Sequence, residues 1–336
     1  MKKFHYLSVF VITCGIMSCT ELRPKDKPTY TDKPKVEVAV PYFDADTAYH
    51  YIETQVKMGP RTWGSKAHKD CGDWAIAKLK LSNAQVLVQA TTLKLYNGKV
   101  IPMRNIMGQL YPDKKNRILL AAHYDSRPYA DHDDERQTEP ILAADDGASG
   151  VAVLLEIARL LNISEPMYGV DILLIDAEET GAPNYAPNTN ARNEDWCLGS
   201  QYWSHNIIPM GYRPEYGILL DMVGGRGNTF TQEATSMMYA PDVMNKIWKT
   251  GNRLGYSSYF LYDKTQVVVD DHYFINQIAK IPTVDIIHYY KPSETTDIPM
   301  FGPWWHTHDD DMDNIDKATL KAVGQTILTV LYESGV

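Results

Sequence analysis

Residues 42–336 predict a single three-layer α/β/α domain built on a mixed, centrally parallel twisted sheet, and three observations lead there. From Arg117 onward, short apolar runs alternate with helical stretches, as in a parallel sheet with crossover helices. Before that, "QVLVQATTLKLYNGKVIPMRNIMGQLY" alternates like strands around Asn97-Gly98, a two-residue hairpin signal that puts antiparallel strands at one edge. Acids and histidines then recur where successive apolar runs end.

Taken in order, Asp46 can cap a first helix that carries Tyr49, Ile52 and Val56 on one face and stops at Gly59-Pro60. A second helix is expected over residues 66–81. "RILLAAHYD" reads as a strand, and "GASGVAVLLEIARLL" as a helix with Val151, Leu154, Leu155 and Ala158 inward. "VDILLID", "YGILLDMVG" and "IPTVDIIHY" are further strands, each apolar enough to be enclosed on both faces. Asp316 can cap a last helix with Leu320, Val323, Ile327 and Leu331 on its buried face.

The chain has 336 residues, 33 basic and 42 acidic, for a formal charge of −9. It carries no basic stripe, which argues against a nucleic-acid partner. Residues 1–18 read as a signal peptide: Lys2 and Lys3 precede an apolar stretch too short to span a bilayer comfortably. Ile16-Met17-Ser18-Cys19 resembles a bacterial lipobox, so a lipidated Cys19 is expected to anchor the chain to a membrane face outside the cytoplasm; ordinary signal cleavage is the alternative. Residues 19–41, rich in Pro, Lys, Asp and Thr, read as a flexible tether. Beyond them only Cys71 and Cys197 remain, too few for a thiolate zinc site, and an oxidising compartment would permit a bridge between them.

The polar strand ends are specific. "LLAAHYDS" ends in His123 and Asp125, and "AADDGASG" sets Asp145 and Asp146 before a helix. "ILLIDAEETG" brings Glu178 and Glu179, "ILLDMVG" brings Asp221, "VVVDDHYF" brings Asp270, Asp271 and His272, and "PWWHTHDDDMDN" brings His306 and His308. Singly these have ordinary readings: Asp146 as a helix cap, His123 as a core histidine, the glutamates or Asp309–Asp311 as solvated turns, and Trp304 and Trp305 as core aromatics. Together they place many carboxylates at one sheet edge, where burial without a cation is costly. An oxygen and nitrogen ligand set without thiolate suits zinc, without excluding other divalent ions.

With "HYDS", "AADDGASG", "DAEE", "LGSQYW", "LLDMVG", "VDDH" and "WWHTHDD" in order, the chain resembles the zinc aminopeptidase superfamily. Within it, the chain is most similar to the animal-type glutaminyl cyclases, in a bacterial lipoprotein form. The resemblance implies that Asp146, Glu179 and His306 bind one zinc and that Glu178 is the general acid/base. It implies that Asp271 and Asp221 form a carboxylate network around the reacting amide. Trp305, and Trp196 beside the glutamates, would wall the substrate pocket. His123 matches the extra metal ligand of two-zinc aminopeptidases, with Asp221 as its partner, so the ligand set alone does not separate the two activities. "VDDH" and the Trp before His306 favour the cyclase. Two long loops, residues 181–196 and 289–303, depart from the pattern and are expected to border the pocket.

Such a cyclase would act on peptides or proteins with N-terminal glutamine, and a monomer is expected. The substrate's α-amine attacks its own γ-amide and ammonia leaves, so no water or enzyme nucleophile is needed. Adjacent glutamates suit this, one facing a metal and the other the substrate. Because an α-amine titrates at about 7.7–8.0, a neutral to mildly alkaline optimum is expected. The alternatives are a two-zinc aminopeptidase and a non-enzymatic peptide- or zinc-binding lipoprotein. No G-x-S-x-G or H-E-x-x-H occurs.

Overall fold

The computed structural model describes Met1 and residues 39–186, 192–290 and 300–333. The expected signal peptide beyond Met1, Cys19 and most of the tether lie outside the described residues. All the elements below belong to one compact unit, Val38–Val336.

Helices α1 (Ala45–Lys57) and α2 (Lys66–Leu81) precede the hairpin of β1 (Gln85–Lys94) and β2 (Val100–Leu110). Then follow β3 (Arg117–His123), α3 (Ala148–Leu161), β4 (Gly169–Ile175), α4 (Leu198–His205) and β5 (Tyr216–Asp221). The chain continues through β6 (Phe230–Gln232), α5 (Ala234–Tyr239), α6 (Pro241–Arg253) and β7 (Phe260–Lys264). It ends with α7 (Asp271–Phe274), β8 (Thr283–Ile287) and α8 (Lys317–Tyr332). The main sheet runs β1-β2-β4-β3-β5-β8, antiparallel across β1, β2 and β4 and parallel from β4 to β8. A small parallel pair, β6-β7, stands apart.

Every residue of β3, β4, β5 and β8 is buried, which is why these strands are continuous apolar runs. Ile118, Leu120, Ile172, Leu174, Ile218 and Val284 pack on one face with α1, α3, α6 and α8. Leu119, Leu173 and Leu219 pack on the other with Trp203 of α4 and Ile275 after α7. Two helical layers around one sheet make the expected α/β/α domain. Asp171 interrupts β4, and Arg117 satisfies its buried carboxylate with two 2.7 Å hydrogen bonds.

Local details correct the sequence reading. Asp44, not Asp46, caps α1: its extended backbone lets Oδ1 accept the N–H groups of Asp46 and Thr47. The Asn97-Gly98 turn is three residues long, not two. Leu95 N–H still bonds Lys99 O at 2.9 Å, its carbonyl accepts the Gly98 N–H at 2.9 Å, and Gly98 closes the turn as a left-handed residue with φ 84°. Asp146 caps nothing, since Gly147 is the N-cap of α3 without a side-chain bond. Helices α4 to α6 and the β6-β7 pair carry no expectation from the sequence.

One close approach sets the start of α4. A Cβ on Gly199 would sit 1.7 Å from Asp176 O, at the end of β4. Gly199→Ala is therefore expected to destabilise the domain by about 1–3 kcal/mol, seen as a lower urea midpoint at unchanged m-value. A wild-type midpoint would mean that α4 can shift away from β4.

Candidate active site

The polar groups gather at the carboxyl edge of the parallel strands, where open α/β sheets place their sites. His123 ends β3, Glu178 and Glu179 follow β4, Asp221 ends β5, and Asp146 precedes α3. The chain turns sharply at each junction. Ala143, Ala177, Cys197, Met222 and His306 all take positive φ, between 46° and 57°. For residues with a Cβ this conformation costs on the order of 1 kcal/mol or more each, and it turns the neighbouring side chains into the site.

Asp146, Glu179 and His306 come together as expected. His306 Nε2 lies 3.7 Å from Asp146 Oδ2 and 3.5 Å from Glu179 Oε2. Ligands about 2.0–2.2 Å from a tetrahedral zinc stand about 3.3–3.6 Å apart; the two His306 separations lie at or just above that range, and all three atoms lie within 4.8 Å of one another, so the group could hold one ion. Both Glu179 oxygens are buried without a hydrogen-bond donor, a state that a cation would resolve. His123 meets Asp146 and Asp221 in a second group of possible ligands. Its Nε2 is 3.0 Å from Asp146 Oδ1 and 3.3 Å from Asp221 Oδ1.

A supporting layer holds these groups, and most of it was not singled out from sequence. Asp131 Oδ1 lies 3.2 Å from His306 Nδ1, which leaves Nε2 for a metal. Arg127, fully buried, holds Asp131 Oδ2 at 2.8 Å and donates to the carbonyls of Glu179 and Gly181 at 3.1 and 3.0 Å. The Asp125 carboxylate accepts the N–H groups of Glu178 and Glu179 at 3.2 and 3.3 Å and the Trp63 indole at 2.8 Å. Asp310 accepts the N–H groups of Asp145 and Asp146 at 2.6 and 3.1 Å. It is 1% exposed, so the "DDD" run is not simply a solvated turn.

The cavity above this cluster measures about 280 Å³. Its floor is acidic, with Asp146, Glu178, Glu179, Asp221 and Asp270, and its walls include Trp196, Phe301, Trp305 and Val267–Val269. Trp305 stacks on His306 with centroids 3.9 Å apart, and Phe301 meets Trp305 edge-on at 4.9 Å. Trp196 lies nearly parallel to His306 at 6.2 Å and carries the Arg127 guanidinium 4.5 Å from a ring centroid. The described parts of both long loops therefore border the cavity.

Asp270, and not the Asp271 expected from sequence, shares this floor. As the N-cap of α7, Asp270 has extended backbone, whereas Asp271 is the first helical residue and is 0% exposed. One oxygen each of Glu178 and Asp270 and the Cys197 sulfur lie within 4.8 Å of one another. Cys197 Sγ–H donates to Glu178 Oε1 at 3.0 Å, and both Cys197 and Cys71 are free, buried thiols rather than a disulfide.

Burial and then the neighbouring Glu179 push the Glu178 carboxyl well above the usual range. Burial and Asp146 raise Asp221 to about 8. Asp131 goes the other way: hydrogen bonds from His306 and Arg127 outweigh its burial and hold it low.

Glu233, the N-cap of α5, is held down to about 2 from 4.5, because His272 and the N–H groups of Ser236 and Val268 outweigh its burial. A carboxyl depressed on folding stabilises the fold above its unfolded value and loses that contribution as pH falls through the folded value. The stability gap between wild type and Glu233→Gln is thus expected to be full at about pH 6 and to narrow toward about pH 2. Urea midpoints across that range measure it, and a constant gap would contradict it.

Residues 105–331 match peptidase family M28. Among solved structures, the glutaminyl cyclase of Bacteroides thetaiotaomicron bound to N-acetylhistamine is 47% identical, with TM-score 0.84, covering 88% of this chain and 100% of that one. A leucine aminopeptidase precursor of the same organism is 46% identical, with TM-score 0.84, covering 89% of this chain and 100% of that one. Bovine glutaminyl-peptide cyclotransferase is 26% identical over 259 residues, 68% of this chain and 65% of its own length. The match to the aminopeptidase YwaD of Bacillus subtilis covers 85% of this chain and 56% of the relative, so the chain spans only about half to two thirds of these curated relatives. The M28 match extends from β2 to the end of α8 and takes in the whole acidic edge of the sheet, and this chain belongs to peptidase family M28.

Proposed function

We propose that the chain is a zinc-dependent glutaminyl-peptide cyclotransferase that converts the N-terminal glutamine of peptides or proteins to pyroglutamate and releases ammonia. The observation that carries this is the division of labour between the two glutamates. Glu179 joins Asp146 and His306 in a three-ligand group, while Glu178 faces Asp270 in a cavity walled by Trp196, Phe301 and Trp305. The M28 relatives named as cyclases and as aminopeptidases share the fold, and it is this cavity that suits cyclisation.

Asp146, Glu179 and His306 would hold the zinc. When bound, zinc supplies Lewis-acid polarisation of the γ-carbonyl oxygen. Glu178 takes one proton from the attacking α-amine and delivers it to the departing γ-nitrogen. The new bond joins the α-nitrogen to Cδ, the Cδ–NH2 bond breaks, and the amide nitrogen leaves as ammonia. A carboxyl that lines the cavity beside the metal-ligand group suits a proton carrier that must both take and give. Asp270 and Asp221, on the same floor, keep the shuttled proton within the cluster. The aromatic walls fold the glutamine side chain back on its own amine, an orientation effect worth many orders of magnitude in ring closure.

One ion per chain is favoured by His123. With its Nε2 3.0 Å from Asp146 Oδ1, His123 would orient that ligand behind a single zinc. The second reading, a two-zinc aminopeptidase, is supported by the same His123–Asp146–Asp221 grouping. Anchoring through Cys19 outside the cytoplasm rests on the lipobox-like sequence. Among the described residues, no helix is long and apolar enough to cross a membrane.

Chelation followed by metal add-back tests the reading. Ammonia release from a glutaminyl dipeptide amide should vanish on chelation and return fully with one zinc per chain. Release of free glutamine in place of ammonia, with a need for two zincs, would favour the aminopeptidase.

A further inference from the structure

Behind Asp270 lies a buried polar ring that the proposed reaction does not use. His272 Nε2 stands 3.1 Å from Glu233 Oε2, and its Nδ1 stands 3.3 Å from Asp285 Oδ2. One atom each of Asp270, His272 and Asp285 lies within 4.8 Å of the others. Ser236 ties Glu233 to the Asp285 backbone: its hydroxyl donates to Glu233 at 2.8 Å and accepts the Asp285 N–H at 2.9 Å, while His272 Nδ1 and Asp285 Oδ2 approach closely without a hydrogen bond. Glu233 also accepts the N–H of Val268 at 3.0 Å, inside the stretch that walls the cavity. It therefore grips the chain on both sides of Asp270, at Val268 and at His272. None of Glu233, His272 and Asp285 lines the cavity, and each is at most 1% exposed. Burial and the neighbouring Asp270 push the Asp285 carboxyl well above the usual range.

Fixing an imidazole and two carboxyls in the interior costs desolvation that apolar residues would avoid. What the ring provides is direction. Asp270 Oδ1 accepts the Asp271 N–H, while its Oδ2 has no donor and must be placed by its surroundings. We propose that Glu233, His272 and Asp285 form a buried brace that aims the Asp270 carboxyl at Glu178. They are positioning residues, and the proposal rests on the cyclase reading only for the reaction assayed.

A double-mutant cycle on the zinc-loaded enzyme tests it. His272→Asn and Glu233→Gln should each lower kcat by about 10²-fold, the scale of a misplaced reacting group, with KM within about threefold. In an Asp270→Asn background each should cost less than about threefold more, because the group being aimed is gone. Zinc content and affinity for N-acetylhistamine should match wild type. Equal losses in both backgrounds, or losses that track zinc content, would make the ring merely structural and overturn the proposal. If His272→Asn fails to fold, Glu233→Gln, which keeps the side-chain volume, carries the same cycle. A wild type that releases no ammonia would overturn the cyclase reading alone, and the cycle would then be measured on release of the N-terminal residue.

Discussion

Glu178→Gln is expected to lower ammonia release by about 10²–10⁴-fold, the range of a lost general acid/base, while zinc content and the melting temperature stay near wild type. Glutamine keeps the shape and can still accept the Cys197 thiol bond, but it cannot carry a proton between two nitrogens. Removing the charge also relieves repulsion with Glu179, Asp270 and Asp271, so the fold should lose nothing. The checks are kcat on a glutaminyl dipeptide amide, zinc by mass spectrometry and a thermal melt. Activity within tenfold of wild type would show that another group moves the proton.

Arg127→Met should have the broadest effect. Arg127 is 0% exposed and spans the Glu179–Gly181 turn, the Asp131 carboxylate and the Trp196 ring. Without it, Asp131 is left buried with one partner fewer, and breaking such a pair costs about 3–5 kcal/mol. Loss of Asp131's hold on His306 is expected to weaken zinc binding by about 10–100-fold, as for other carboxylates behind metal-bound histidines. Trp196 loses its support as well, so KM for the peptide should rise. A zinc titration and a denaturant melt measure the first two effects. A variant that bound zinc as tightly as wild type would show that Asp131 orients His306 unaided.

The fold was legible because buried parallel strands announce themselves: the "ILLAA" of β3 and the "ILLI" of β4 are unbroken apolar runs, and polar residues stand abruptly where they end. Asp146, Glu179 and His306 meet because the connections that leave the parallel strands converge on one sheet edge, which the order of motifs already implied. Other residues had no local signal. Arg127 and Asp131 act through backbone carbonyls and a ring nitrogen supplied by distant loops, and Glu233 sits before a short helix that no apolar pattern marks. The choice between Asp270 and Asp271 turned on one residue. Extended backbone at an N-cap faces the cavity and the first helical residue turns inward, a distinction of φ and ψ that two identical neighbouring letters do not encode.

The central claim is that the chain closes a ring instead of cutting a peptide bond. Mass spectrometry of a zinc-loaded preparation of residues 42–336 with a Gln-Xaa dipeptide amide tests this most directly. A product lighter by one ammonia, with its peptide bond intact, is the predicted result. Free glutamine with no such product would contradict cyclisation and make the chain an aminopeptidase.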